Sequence, residues 1–142
     1  EERARYLREA VGHYKEALTV RTKDRYPVDW AITLNNLAGA LTELPVRDAE
    51  ERAGYVEQAV GYYKEALTVY TRDSYPHLHA RTAANLGMLL FTSGAKADAK
   101  PYLESAWALS NFLPDQGKGL ESFLKAYDDS TKEKPTPKRR RP

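Results

Sequence analysis

Apolar residues in the first part of the chain recur with the period of an α-helix. Between residues 10 and 18 they stand one, three or four positions apart, so that all of them share one helical face. These residues are Ala10, Val11, Tyr14, Ala17 and Leu18. Pro27 predicts the end of this helix, because the residue before a proline avoids the α region. A proline also suits the first turn of a following helix.

The chain repeats this pattern with a shift of 49 residues. Residues 1–44 align with residues 50–93, and 24 of the 44 positions are identical. The second helix of each copy has its own apolar stripe, with small residues in the middle that leave room for a close neighbouring helix. The stripes include Leu37 and Leu41 in the first copy and Leu86 and Leu90 in the second. The sequence therefore predicts a tandem duplication of helix pairs.

A third, shorter match follows and carries a family resemblance. Residues 99–107 repeat the Ala-x-x-x-Tyr-x-x-Ala-Leu spacing of residues 59–67, with leucine and tryptophan in two of the four places. Together with Asn85-Leu86-Gly87, this spacing resembles the tetratricopeptide repeat, in a long-period form similar to a bacterial subgroup. The family period is about 34 residues, and a longer helix and a longer loop account for the difference. The resemblance implies an all-α, right-handed solenoid of antiparallel helix pairs.

The resemblance also divides the chain into segments. Leu120, Phe123, Leu124 and Tyr127 stand at helical spacing after the last repeat, and they predict a helix that covers its apolar face. Beyond this helix there is no apolar patterning, and three prolines predict disorder. The segments are an orphan second helix (1–27), two tetratricopeptide-like repeats (28–76 and 77–114), a capping helix (115–128) and a disordered basic tail (129–142).

Composition excludes several classes of protein. Of the 142 residues, 42% are hydrophobic and 30% are charged; none is cysteine, which rules out disulfides and thiolate metal sites. A chain without cysteine is compatible with a reducing compartment, and we expect a cytoplasmic location. No apolar run is long enough to span a bilayer. Residues 1–131 carry 16 basic and 19 acidic residues, and this net charge of −3 does not favour nucleic acid as a partner.

No arrangement of catalytic residues is evident in the sequence. His77 and His79 stand about 200° apart on a helix, without a carboxylate at a suitable spacing, which favours surface or interface roles over metal binding. Asn36 and Asn85 match an asparagine that the tetratricopeptide family uses between adjacent helices, so the resemblance favours a structural role over a ligand-binding one. We therefore expect no enzyme activity, no cofactor and no metal.

The ten tyrosines divide into core and surface positions by their spacing. Tyr63 falls on an apolar helical stripe and is expected in the core. Tyr62 and Tyr70 are replaced in the first copy by His13 and Arg21. Because polar residues take their places there, Tyr62 and Tyr70 are expected on the exposed, convex side.

A second stripe on the first helix of each repeat predicts a binding surface. In tetratricopeptide arrays this stripe lines the concave groove that takes peptides or partner helices. Arg81 suits an acidic group, and Met88 and Phe91 suit an apolar side chain; the alternative is that Met88 and Phe91 pack against the third unit. The family's carboxylate clamp is not matched, because Gly39 and Met88 stand in place of its asparagine. The predicted groove residues are Ile32, Asn35, Thr42, Arg81, Ala84, Met88 and Phe91.

The expected function is a non-catalytic protein-interaction module, with two alternatives. Because residues 1–27 match only half a repeat, the chain is also compatible with a regulatory or assembly segment of a larger signalling, peptidase or ATPase protein. Its first helix would then expose an apolar face to a partner or to self-association. The second alternative is binding of nucleic acid or an acidic surface through the basic tail. The competing interpretation is a solvated tail with no dedicated partner. The tail residues concerned are Lys138, Arg139, Arg140 and Arg141.

Overall fold

The computed structural model describes residues 1–131, which form six α-helices and no β-strand. The predicted all-α class is therefore confirmed for this part of the chain. Two short 3₁₀ turns, Ser110–Phe112 and Pro114–Gly117, stand between the last two helices. The four arginine and lysine residues of the predicted basic run lie outside the described residues. The helices are α1 (Glu2–Val20), α2 (Pro27–Glu43), α3 (Ala49–Leu67), α4 (Pro76–Thr92), α5 (Lys96–Ala108) and α6 (Lys118–Thr131).

The helix boundaries repeat the duplication seen in the sequence. Pro27 and Pro76 are the first residues of α2 and α4, where a missing N–H removes no helical hydrogen bond. The tyrosines before them have nearly the same backbone conformation, with φ of −139° at Tyr26 and −140° at Tyr75. The two copies therefore enter their second helix in the same way.

Each helix packs against its neighbours in the chain, from α1 on α2 through to α5 on α6. The main apolar cluster includes the fully buried side chains of Leu37, Leu86 and Leu103. The helices α4 and α5 lie close together at Gly87, where an added Cβ would lie 2.7 Å from the Leu103 side chain. This contact explains why a residue without a side chain stands in the middle of the α4 stripe.

The first helix is less buried than the helix it resembles. Ala59, Tyr63 and Ala66 on α3 are buried, whereas their counterparts 49 positions earlier on α1 are only partly buried. No residue of α1 is fully buried. The reason is that α3 packs against both α2 and α4, whereas α1 packs mainly against α2.

The prediction that Tyr70 is exposed was wrong. Only 1% of this residue is accessible, and it packs in a second apolar cluster with Ala31, Leu34 and Ala66. Its ring also meets the Tyr75 ring edge-on, at 5.9 Å between centroids. Helix α3 ends at Leu67, so the helical spacing used for the prediction no longer sets the direction of a side chain three residues later.

His79 joins helix α4 to α5 and to the segment after α3, which is the interface role among the two favoured for it. Its Nδ1 lies 2.8 Å from the carbonyl oxygen of Tyr70, and its Nε2 lies 2.8 Å from Oγ of Ser105 on α5. Because a carbonyl oxygen only accepts, Nδ1–H is the donor to Tyr70, and the Ser105 hydroxyl is the hydrogen-bond partner of Nε2. The pair links α4 to α5 and to the chain that follows α3.

The capping helix begins and ends three residues later than predicted. Asp115, Gln116 and Gly117 have φ values of 51°, 54° and 75°, and this left-handed turn keeps them out of α6. The helix then continues to Thr131, so residues 129–131, predicted as disordered, are helical. Leu120 is buried against the main cluster, which is the covering role expected of this helix.

Candidate binding groove

The helices α2 and α4 carry the predicted groove residues and are tied together by a hydrogen bond. The Thr82 hydroxyl of α4 donates to Oδ1 of Asn35 on α2, at 3.1 Å. This bond uses the acceptor oxygen of the Asn35 amide and leaves its NH₂ group free to donate. The surface beside it contains several depressions that share residues with one another.

One of these is a small polar depression of about 80 Å³, defined here as the polar pocket. The hydroxyl of Tyr70 is buried and has no hydrogen-bond partner among residues 1–131. Arg81 is exposed and forms no ion pair or hydrogen bond within the same part of the chain. The polar pocket is therefore lined by two residues with unused donors, Arg81 and Asn35, and by Tyr70, whose buried hydroxyl has no partner. The polar pocket is lined by Ile32, Asn35, Asn36, Tyr70, Leu78, Arg81 and Thr82.

Arg81 also borders a larger depression of about 280 Å³, defined here as the apolar pocket. One wall is formed by α4, and the other by the chain between α5 and α6 together with the first turn of α6. The left-handed turn at Asp115 and Gln116 brings that second wall into place, at a cost on the order of 1–3 kcal/mol for each such residue. The apolar pocket is lined by Arg81, Ala84, Asn85, Met88, Leu113, Pro114, Gly117, Gly119 and Leu120.

The predicted groove residues are distributed over these depressions. Ile32, Asn35 and Arg81 meet at the polar pocket. Ala84 and Met88 line the apolar pocket, although Ala84 is only 7% exposed. Thr42 lines a third depression together with Met88, and its hydroxyl donates a hydrogen bond to the Gly39 carbonyl oxygen at 2.7 Å.

Phe91 is already in contact with the chain's own C-terminal helix. Its ring meets the Phe123 ring of α6 edge-on, with 5.3 Å between centroids, and the Lys96 ammonium lies 5.2 Å from its centre. Phe91 therefore packs within the molecule, as in the alternative interpretation, and its contacts are with both α5 and α6. Met88 also packs at the edge of the main cluster.

Burial keeps two tyrosine hydroxyls of this region protonated. Loss of solvent, followed by the charge of Glu43, raises the pKa of Tyr63 to about 12. Burial, and then the neighbouring Tyr75, raises the pKa of Tyr70, while Arg81 acts in the opposite direction. Both side chains are therefore neutral at physiological pH, and the Tyr70 hydroxyl is a donor.

Other chemistry in the described residues is limited. Residues 1–131 contain no group of three or more histidine and acidic side chains arranged to hold a metal ion. None of the six helices combines the length and apolarity needed to cross a membrane. Asn36, for which the resemblance favours a role between helices, is exposed at the polar pocket, and Asn85 is partly buried at the apolar one.

Comparisons with known proteins add no assignment. No protein-family model, curated protein or solved structure matches this chain. Sequence patterns missed Tyr70, Leu113 and Leu120 as lining residues, since all three are brought to the groove by turns. Pro114 and Gly117 mark one of these turns in the sequence, but their spacing does not say against which helix the turn packs.

Proposed function

We propose that this chain is a protein-interaction module of the long-period, bacterial tetratricopeptide type, acting in the cytoplasm without catalysis or a cofactor. The duplicated helix pairs, packed each on the next, support a right-handed solenoid. Short loops between contacting helices support an antiparallel arrangement of each pair. The groove between α2 and α4 binds a peptide or a partner helix.

The proposal rests on one observation: an exposed apolar side chain and two polar groups without partners lie on the same surface. Ile32 is 40% exposed, Arg81 has no ion pair among residues 1–131, and the buried Tyr70 hydroxyl has no acceptor. Buried polar groups without partners are rare in native proteins and call for a ligand or an ordered water. An extended chain supplies both backbone acceptors and side chains to such a surface.

The proposal is tested by selecting peptides on the intact chain from a displayed random library. Their affinity is then measured by fluorescence anisotropy for the wild type and for a variant with Arg81→Glu and Met88→Ala. We expect at least a tenfold loss in the double variant, while far-UV circular dichroism stays the same. A matched control, Arg72→Glu with Val69→Ala, changes charge and apolar volume outside the groove. Equal binding by all three proteins would exclude the groove.

Self-association through α1 is a second candidate, supported by the partial exposure of this helix. Tyr6 is 56% exposed, and Leu7, Ala10 and Tyr14 line an open depression of about 310 Å³. Ala59 and Tyr63, the equivalents of Ala10 and Tyr14, are buried on α3, which packs against α4 as well as α2. The same face of α1 is therefore suited to a further helix. A second copy of α1 supplies an apolar face of the same kind.

Light scattering coupled to size-exclusion chromatography distinguishes this candidate. We expect a concentration-dependent dimer that Ala10→Arg converts to a monomer. Gly12→Arg is the matched control, because an added Cβ on Gly12 meets nothing within 4 Å and lies on the exposed side of α1. A monomer at every concentration would exclude self-association.

A further inference from the structure

We infer that the groove selects a peptide segment in which an acidic side chain stands next to a large apolar side chain. The acid pairs with Arg81 at the polar pocket and, because the Tyr70 hydroxyl is covered in this structure, reaches that hydroxyl as the covering side chains move aside. The apolar group fills the apolar pocket. The inference rests on the proposed function and adds to it the chemistry of the partner.

The acidic half of this inference follows from the donors at the polar pocket. The Arg81 guanidinium, the Tyr70 hydroxyl and the Asn35 amide all donate hydrogen bonds, and Thr82 already occupies the Asn35 oxygen. A carboxylate accepts several hydrogen bonds at once and neutralises the arginine. The polar pocket, with a volume of about 80 Å³, has room for a group of this size.

The apolar half follows from the walls of the larger depression. Met88, Leu113 and Leu120 provide hydrocarbon surface in a space of about 280 Å³, and methionine adapts its shape to an incoming side chain. Arg81 lines both pockets, so the two groups of the partner must be close together in its chain.

An internal segment fits this surface better than a chain end. Beyond the polar pocket, Asn35 and Asn36 also line a further depression of about 310 Å³ that extends to Gly39 and Tyr63. The surface therefore continues beyond the polar pocket, and an extended segment crosses it without ending there. The carboxylate consequently comes from an aspartate or glutamate side chain.

The probes are synthetic decapeptides of glycine and serine with both ends blocked. The central pair is Glu-Phe or Phe-Glu, and matched peptides carry Gln for Glu or Ala for Phe. Binding to the full chain is followed by ¹⁵N NMR titration. We expect the better of the two Glu/Phe orders to bind at least fivefold more tightly than its Gln and Ala counterparts, with shifts in α4 and residues 113–120.

Variants separate the two halves of the site. Arg81→Gln and Tyr70→Phe are each expected to reduce the preference for Glu over Gln at least threefold, while Arg72→Gln leaves it unchanged. Gly119→Leu places a side chain at the apolar pocket and is expected to remove the preference for Phe over Ala. Gly61→Leu is its control, because a Cβ on either glycine meets nothing within 4 Å.

Several results would overturn the inference. One is an unchanged Glu preference in Arg81→Gln or Tyr70→Phe, and another is an unchanged Phe preference in Gly119→Leu. Tighter binding of a peptide that ends in Phe with a free carboxylate would assign the site to a chain terminus instead. If the probes fail while library-selected peptides still require Arg81 and Met88, only this inference fails. If the selected peptides do not require them, the groove itself is excluded.

Discussion

At the scale of single residues, two glycines within helices have very different surroundings. Gly87 lies where α4 meets α5, and a Cβ there would stand 2.7 Å from the Leu103 side chain and 3.1 Å from its backbone nitrogen. Gly61 lies on the open side of α3, where a Cβ meets nothing within 4 Å. The same substitution is therefore expected to have opposite effects at the two sites.

We predict that Gly87→Ala destabilises the protein and Gly61→Ala stabilises it. Overpacking at a close helix contact costs about 1–3 kcal/mol, and only part of this is offset by the better helix propensity of alanine, about 1 kcal/mol. Gly61→Ala gains the propensity without the clash. Urea unfolding followed by circular dichroism measures both free energies of unfolding. A more stable Gly87→Ala variant would contradict the close packing of α4 on α5.

Tyr63 gives the molecule a pH dependence in the alkaline range. Its pKa is 10.0 in an unfolded chain and about 12 in the folded protein, because burial disfavours the phenolate. The stabilising contribution is fully present below pH 10 and is lost as the pH rises towards 12, where the unfolded chain has already released the proton. The loss is at most about 3 kcal/mol.

The measurement is the free energy of unfolding in urea at several pH values between 9 and 11.5. The wild type is expected to lose more stability over this interval than Tyr63→Phe, which has no hydroxyl to ionise. Tyr6→Phe is the control, because Tyr6 is exposed. Parallel pH profiles for wild type and Tyr63→Phe would show that this hydroxyl ionises equally in both states.

At the scale of elements, repetition in the sequence was enough to predict α1 to α4 and their order. Periodicity identified the helices, and Pro27 and Pro76 fixed where α2 and α4 begin. Asp48 caps α3 by accepting a hydrogen bond from the Glu51 amide at 2.8 Å, a local contact that a sequence pattern is able to reveal.

The elements that were predicted poorly all depend on contacts between distant residues. The left-handed turn at Asp115 and Gln116 delays α6, and neither residue type signals two consecutive positive φ values. Tyr70 follows the end of α3 and is buried by packing against Ala31 and Leu34, rather than by helical spacing. Helical spacing predicted Arg81 as a lining residue. It missed Tyr70 and the apolar residues Leu113 and Leu120, because their positions depend on contacts between distant parts of the chain.

At the scale of the whole molecule, the helices form a series in which contacts are mainly between neighbours. In such an array, stability is close to a sum of local terms, and an end element opens more easily than the middle. Helix α1 has no fully buried residue, whereas α4 is buried between α3 and α5 and has further contacts with α6. We therefore expect α1 to open more easily than α4.

Native-state hydrogen exchange tests this difference. We predict that amides of α1 exchange by local opening with the lowest protection among the six helices, while those of α4 and α5 exchange near the free energy of global unfolding. Leu7→Ala is expected to lower protection in α1 alone, since Leu7 packs only at the edge of the main cluster. Leu103→Ala removes a fully buried side chain and is expected to lower protection in α2 to α5 together, by about 2–5 kcal/mol. If Leu7→Ala lowered protection equally in all six helices, the helices would unfold as one unit. Helix α1 would then be as stable as α4 and α5.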